Sequence, residues 1–189
     1  MAIVLASGSP RRRELLRMIG IEDFKVIADE SDELMPNGLS PEQTVCEIAI
    51  AKAKNVSRLC GEYDTIIAAD TLVYLDALPL GKPESPVGAE TMLKSLSGRM
   101  HTVYTGLALM AGGKHIASAE MTRVHFREIS DAEISAYVRT GEPMDKAGAY
   151  GAQGRGAVFI ERIEGDFFNV MGLPLCRLSM MLKDFGVGI

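Results

Sequence analysis

An apolar run, a tight turn and the start of a helix follow one another between Ile3 and Leu16, and this junction limits the fold more than any other stretch of the chain. Ile3 to Ala6 reads as a short buried strand. Ser7-Gly8-Ser9 makes the turn, Ser9 stands where an N-cap belongs, and Pro10 suits the first helical position, whose N–H needs no partner. Leu15, Leu16 and Ile19 supply an apolar helix face, and Gly20 fits its stop. The charge at this helix start is out of place. Arg11, Arg12 and Arg13 crowd the positive end of the helix dipole, each at a cost of about 0.3–1 kcal/mol when exposed. Two readings are open: a solvated basic turn, or an anion site where guanidinium forks and backbone N–H groups converge.

Composition narrows the partners. At 189 residues, 47% hydrophobic and 24% charged, the chain has the length for one good-sized domain or two closely packed lobes. A net charge of −5 argues against a nucleic-acid partner, whereas a local Arg/Lys cluster on an acidic protein suits a small anionic ligand. Cys46, Cys60 and Cys176 lie far apart with no CxxC spacing, which points to reduced thiols and a cytoplasmic setting. The expectation is also of no leader peptide and no membrane span.

Along the chain, Phe24 to Ala28 reads as a second strand, followed by the acidic run Asp29, Glu30, Asp32 and Glu33. That run is a solvated loop or a set of oxygen ligands for a hard cation. Ser40-Pro41-Glu42-Gln43 is a capping-box start for a helix to about Ser57. Val45, Ala49, Lys52 and Val56 share one face of it, so Lys52 interrupts an apolar stripe. It either snorkels over the core edge or aims its ammonium inward. Thr65 to Ala69 is a buried strand that runs into Asp70-Thr71 and then Leu72 to Leu75. A carboxylate inside so apolar a segment is costly without partners.

Asp76 to Pro79 reads as a turn, and Gly81-Lys82-Pro83 as a restricted loop. Ser85-Pro86 opens a third helix closed by Gly98. Val103 to Ala111 and Ile116 to Phe126 form a hairpin around Gly112-Gly113, and Ser130 to Glu133 is a second capping box whose helix ends near Gly141. Asp145 to Gly156 is glycine-rich, either a loop that lets backbone approach a ligand or a plain connector. Val158 to Ile163 reads as a strand, and Pro174 opens the last helix.

Several chemistries have no motif here: no GxxxxGK[ST], no GxGxxG after a strand, no HExxH and no GxSxG. His101, His115 and His125 are scattered, without metal-ligand spacing. What remains is directed at phosphate. Arg11, Arg12, Lys52 and Lys82 are the cations and Glu33 and Asp70 the carboxylates, an inventory suited to Mg²⁺-assisted attack on a phosphate chain.

With these residues assembled, the chain resembles the Maf family of nucleoside triphosphate pyrophosphatases over nearly its whole length. The likeness rests on Leu5-Ala6-Ser7-Gly8-Ser9-Pro10-Arg11-Arg12, Ala69-Asp70-Thr71 and Gly81-Lys82-Pro83. It continues in Leu96-Ser97-Gly98, Asp145-Lys146-Ala147-Gly148-Ala149-Tyr150-Gly151 with Gln153-Gly154, and Gly172-Leu173-Pro174-Leu175. The resemblance implies a single domain over residues 1–189. Its fold would be α/β and Maf/ITPase-like: an elongated mixed central sheet flanked by helices, with two lobes, a cleft and often a homodimer. It implies metal-dependent hydrolysis of a nucleoside triphosphate, with Mg²⁺, Mn²⁺ or Co²⁺ as the divalent cation. Asp70 matches the catalytic proton acceptor and Glu33 a metal-site carboxylate, with Asp32 its alternative and Asp70 a second ligand. Lys52 and Lys82 match phosphate-binding positions of the catalytic machinery, as do Ser7 and Arg12 on the substrate side. Arg11, Thr71 and Gln153 match positions linked to substrate choice. The Asp145–Gly151 signature is similar to the branch acting on dTTP and UTP. Ala69 and Ala152 depart from the common Gly and Ile there and bear on selectivity. The alternatives are a pyrophosphatase for modified purine nucleotides such as 7-methyl-GTP, or a non-catalytic nucleotide sensor touching cell division.

Overall fold

The computed structural model describes residues 2–29, 35–36 and 38–188. Among them the first elements are β1 (Ile3–Ala6), α1 (Pro10–Met18), β2 (Phe24–Val26), α2 (Pro41–Ser57), β3 (Thr65–Leu75) and β4 (Leu78–Leu80). Then come α3 (Pro86–Leu96), β5 (Met100–Ala111), β6 (Lys114–Phe126), α4 (Asp131–Val138), β7 (Ile160–Glu164), α5 (Phe167–Met171) and α6 (Leu175–Asp184). The strands form a seven-stranded sheet in the order β2-β1-β3-β5-β6-β7, with β4 paired to β3. It is mixed: β1 runs parallel to β2 and β3, while β3–β4 and β6–β7 are antiparallel. The mixed α/β sheet expected from the sequence is therefore present.

The chain divides into two compact units. The first holds residues 1–71, 105–120 and 172–189, and the second residues 72–104 and 121–171. On the α2 side of the sheet the first unit packs mostly small residues. Val4, Ala6, Ile66, Ala68, Ala108 and Met110 of the sheet pack with Ala49, Ala53 and Val56 of α2. Small side chains bring helix and sheet close, and Gly106 takes this to its limit. A Cβ there would collide with the α2 backbone at Val45 and Cys46. The α2 start is fixed by its capping box, with Ser40 accepting from the Gln43 N–H while the Gln43 side chain accepts from the Ser40 N–H.

The second unit has an aromatic core. Phe126, Tyr137, Tyr150 and Phe159 are buried together with Val73, Leu93, Leu96 and Ile134, and α3 packs on α4. Phe126 and Tyr150 meet edge to face, as do Tyr137 and Phe159.

The element boundaries differ from expectation where elements are short. Leu78–Leu80 pairs with β3 where a turn was expected, and only Asp76 and Ala77 turn, Asp76 with φ of 56°. The expected strand from Val158 begins instead at Ile160, after a 3-10 turn over Arg155–Phe159. Two further 3-10 turns stand at and inside the start of the glycine-rich stretch, Glu142–Asp145 leading into it and Ala147–Ala149 within it. The acidic run from Glu30 to Glu33, with the expected metal-site residue Glu33 and its alternative Asp32, lies outside the described residues.

Candidate active site

Alternation along β3 sorts the site into two groups. Ile66 and Ala68 face α2, so Asp70 faces it too and Thr71 faces the other way. On the α2 face, Lys52 lies on the stripe that packs against the sheet. Its Nζ donates to Asp70 Oδ1 at 2.6 Å, and the two side chains are only 12% and 7% exposed. Lys52 therefore points inward to a carboxylate and does not snorkel. Asp70 Oδ2 is buried and has no hydrogen-bond partner among the described residues. A buried carboxylate oxygen left unsatisfied costs about 1–3 kcal/mol or more, a cost that folding alone gives no reason to keep.

On the opposite face, Arg12 reaches out of the first turn of α1. Its Nε donates to the Gly172 carbonyl at 2.7 Å, one terminal nitrogen to Ser7 Oγ at 3.0 Å and the other to Thr71 Oγ1 at 3.1 Å. Thr71 Oγ1 in turn lies 2.9 Å from Thr105 Oγ1. One guanidinium thus ties together the turn after β1, the middle of β3 and the segment before α6. Gly172 has φ of 99°, a backbone conformation that favours glycine, and a Cβ on it would make a tight contact of 3.1 Å with Thr71 Oγ1. Ser7 is buried and also accepts from the Ser9 N–H. Ser9 occupies the N-cap position as expected, yet its side chain makes no capping bond. The three arginines are not a uniform solvated turn: Arg13 donates to the Gly8 carbonyl at 3.0 Å, Arg12 is bonded as above, and Arg11 is half-buried at the second helical position.

The first unit thus gathers Ser7, Arg12 and Thr71 in one group and Lys52 with Asp70 in another. Lys82 and Gln153 belong to the second unit. Lys82 is exposed in the loop between β4 and α3, where the neighbouring Gly81 carbonyl accepts from the Gly148 N–H at 3.1 Å. Gln153 is exposed on the turn that Gly154 N closes by donating to Gly151 O at 3.2 Å. Sequence reasoning missed Thr105, an unremarked strand threonine with no distinguishing signal. It also gave Gly172 no role, although the Gly172-Leu173-Pro174 run stood out. Among the described residues no three His, Cys, Asp or Glu side chains gather around a common point.

Residues 2–185 match the family model described as Maf-like protein. A curated relative from Bacillus thuringiensis subsp. konkukian, named dTTP/UTP pyrophosphatase, is 43% identical over 187 residues, covering 99% of this chain and 97% of that protein. A relative of the same name from Acetivibrio thermocellus is 47% identical over 195 residues, covering 99% of this chain and 96% of its own. Among solved structures, a HAM1 protein from Coxiella burnetii aligns over 97% of this chain and 99% of its own, with a TM-score of 0.53 and 19% identity, a likeness of fold alone. On its full-length match and on these relatives, the chain belongs to the Maf-like protein family.

Proposed function

We propose that this chain hydrolyses dTTP and UTP to the nucleoside monophosphate and pyrophosphate. Full-length likeness to relatives named dTTP/UTP pyrophosphatase supports the reaction. One observation carries the chemistry: a buried carboxylate, Asp70, is anchored through Oδ1 by Lys52 and keeps Oδ2 unpaired among the described residues. In this reading a water attacks the α-phosphorus and the bond from the α-phosphorus to the bridging oxygen breaks. Pyrophosphate leaves with that bond's electron pair, and the Asp70 carboxylate takes the water's proton. Lys52 holds the carboxylate in place. The leaving pyrophosphate gains charge as the bond breaks, and Arg12, Lys52 and Lys82 are the cations assigned to offset it. Ser7 completes the phosphate side, and Arg11, Thr71 and Gln153 are assigned to the choice of nucleotide.

A divalent cation, Mg²⁺, Mn²⁺ or Co²⁺, belongs to the same reading. Asp70 Oδ2 is a hard oxygen donor with no hydrogen-bond partner among the described residues, and such ions are commonly held by one or two carboxylates while keeping several waters. Glu33 is the second expected ligand. When bound, the ion neutralises phosphate charge and polarises a phosphoryl oxygen. No helix among the described residues is long and apolar enough to cross a membrane, and Cys46, Cys60 and Cys176 are free thiols, which suits a reducing, cytoplasmic compartment. A homodimer completes the proposal.

A panel of triphosphates tests it, each scored for pyrophosphate release with Mg²⁺, Mn²⁺ and Co²⁺. The expected result is fastest release from dTTP and UTP. Fastest release from 7-methyl-GTP would replace the substrate class. Tight binding with no release under any of the three metals would replace the enzyme with a sensor.

A further inference from the structure

The glycines at 151, 154 and 156 leave space, and in the second unit that space is filled by a carboxylate of the chain itself. Glu142 Oε1 accepts from the Tyr137 hydroxyl at 2.9 Å and from the Gly156 N–H at 3.2 Å, while Oε2 accepts from the Arg155 N–H at 3.0 Å. The Tyr137 hydroxyl oxygen accepts from the Gly151 N–H at 3.0 Å. A Cβ on Gly154 would overlap the Glu142 carboxylate, and one on Gly151 would stand 2.9 Å from its Oε1. A Cβ on Gly156 would stand 2.9 Å from the Tyr137 hydroxyl oxygen. Lys146 Nζ donates to the Glu142 carbonyl at 2.7 Å and holds the near side. Burial works against the charge of Glu142, yet the backbone bonds from Arg155 and Gly156 and the Tyr137 hydroxyl outweigh it and keep the carboxyl below its usual range.

Both ends of the Gly151–Gly156 turn are therefore pinned to one side chain, directly at 155 and 156 and through Tyr137 at 151. Gln153 stands between these anchors, exposed. We infer that Glu142 is a positioning residue for Gln153 and, through it, for the choice of nucleotide base. This rests on the reading that Gln153 takes part in that choice. An amide can discriminate bases by hydrogen bonding only if the backbone that carries it holds still, because its ordering cost otherwise consumes the gain.

The test uses the full chain with two independent breaks. Glu142→Gln turns one acceptor oxygen into an N–H donor opposed to backbone donors. Tyr137→Phe removes the hydroxyl bridge to Gly151 and keeps the ring against Phe159. These variants, Gln153→Ala and the Glu142→Gln/Gln153→Ala pair are assayed as kcat/KM for dTTP, UTP and GTP, with melting curves to establish folding. Each single change is expected to lower the pyrimidine-over-GTP ratio about fivefold, the worth of one net hydrogen bond, chiefly through KM. Glu142→Gln is expected to lower it no further once Gln153 is alanine. Should one of the two breaks fail to fold, the other decides. The inference is overturned if Gln153→Ala lowers the ratio while the folded Glu142→Gln or Tyr137→Phe keeps it, whatever happens to the overall rate. An unchanged ratio in Gln153→Ala removes the base-choice reading itself, and this inference with it.

Discussion

Asp70 in the first unit and His101 in the second are both buried on sheet strands, and each keeps one polar atom without a hydrogen-bond partner among the described residues. Their surroundings differ. On its face of β3, Asp70 follows Ala68 in a core of small residues, and a lysine stands 2.6 Å from its other oxygen. His101 sits edge-on to Phe126 and Tyr150, with ring centroids 4.8 and 5.3 Å away, and its Nε2 lies 2.8 Å from the Tyr150 hydroxyl. Burial, with the charge of His125 second, lowers the imidazole to about 4 from its usual 6.5, so the ring is neutral at pH 7. One site pairs its carboxylate with a lysine; the other keeps a neutral ring among aromatic side chains. An unpaired buried atom is thus not by itself a mark of function. What distinguishes the two is the partner beside each, an ammonium for Asp70 and a hydroxyl among aromatic rings for His101.

Two perturbations sharpen this contrast. The larger is Lys52→Met, which leaves the buried Asp70 carboxylate without its cation. Breaking one side of a buried pair costs about 3–5 kcal/mol, whereas removing both sides is far less harmful. Urea unfolding of Lys52→Met is expected to show that loss, and Lys52→Met/Asp70→Asn to recover most of it. A Lys52→Met protein as stable as its parent would mean that the pair does not hold Asp70.

The smaller effect is a pH response. Between pH 6.5 and about 4 the unfolded chain binds a proton at His101 that the folded chain refuses. The stability that His101 contributes is full above about pH 6.5 and falls as the pH drops toward 4. The loss is about 3 kcal/mol at most, and it is level below that. Chemical unfolding across this range should show the slope, and His101→Phe should remove it. A slope that survives in His101→Phe would assign the proton to another group.

What could be read in the sequence follows the range of the interactions involved. The capping boxes at Ser40 and Ser130 are local, three residues from oxygen to N–H, and both stand as expected. The β3 run was legible from its apolar, β-branched content and the apolar face of α2 from its periodicity. The inward aim of Lys52 was only half legible, because the helix stripe shows which way the lysine points and nothing local names Asp70 as its partner. The contact between Thr71 and Thr105 joins neighbouring strands whose residues lie 34 positions apart in the sequence, and it left no local trace. α5 spans only Phe167–Met171, too short for a helical period, and one of its early N–H groups, that of Phe168, is satisfied by Asp166 Oδ1. The glycines of 151–156 were legible as a demand for close approach, but what approaches is Glu142, and no local pattern pairs that residue with Gly154.

The most direct measurement is dTTP hydrolysis by Asp70→Asn beside its dTTP binding by calorimetry. Binding is expected to be retained while turnover falls by about 10²–10⁴-fold, the usual share of a general base. Turnover close to that of the parent chain would remove Asp70 from the reaction and contradict it.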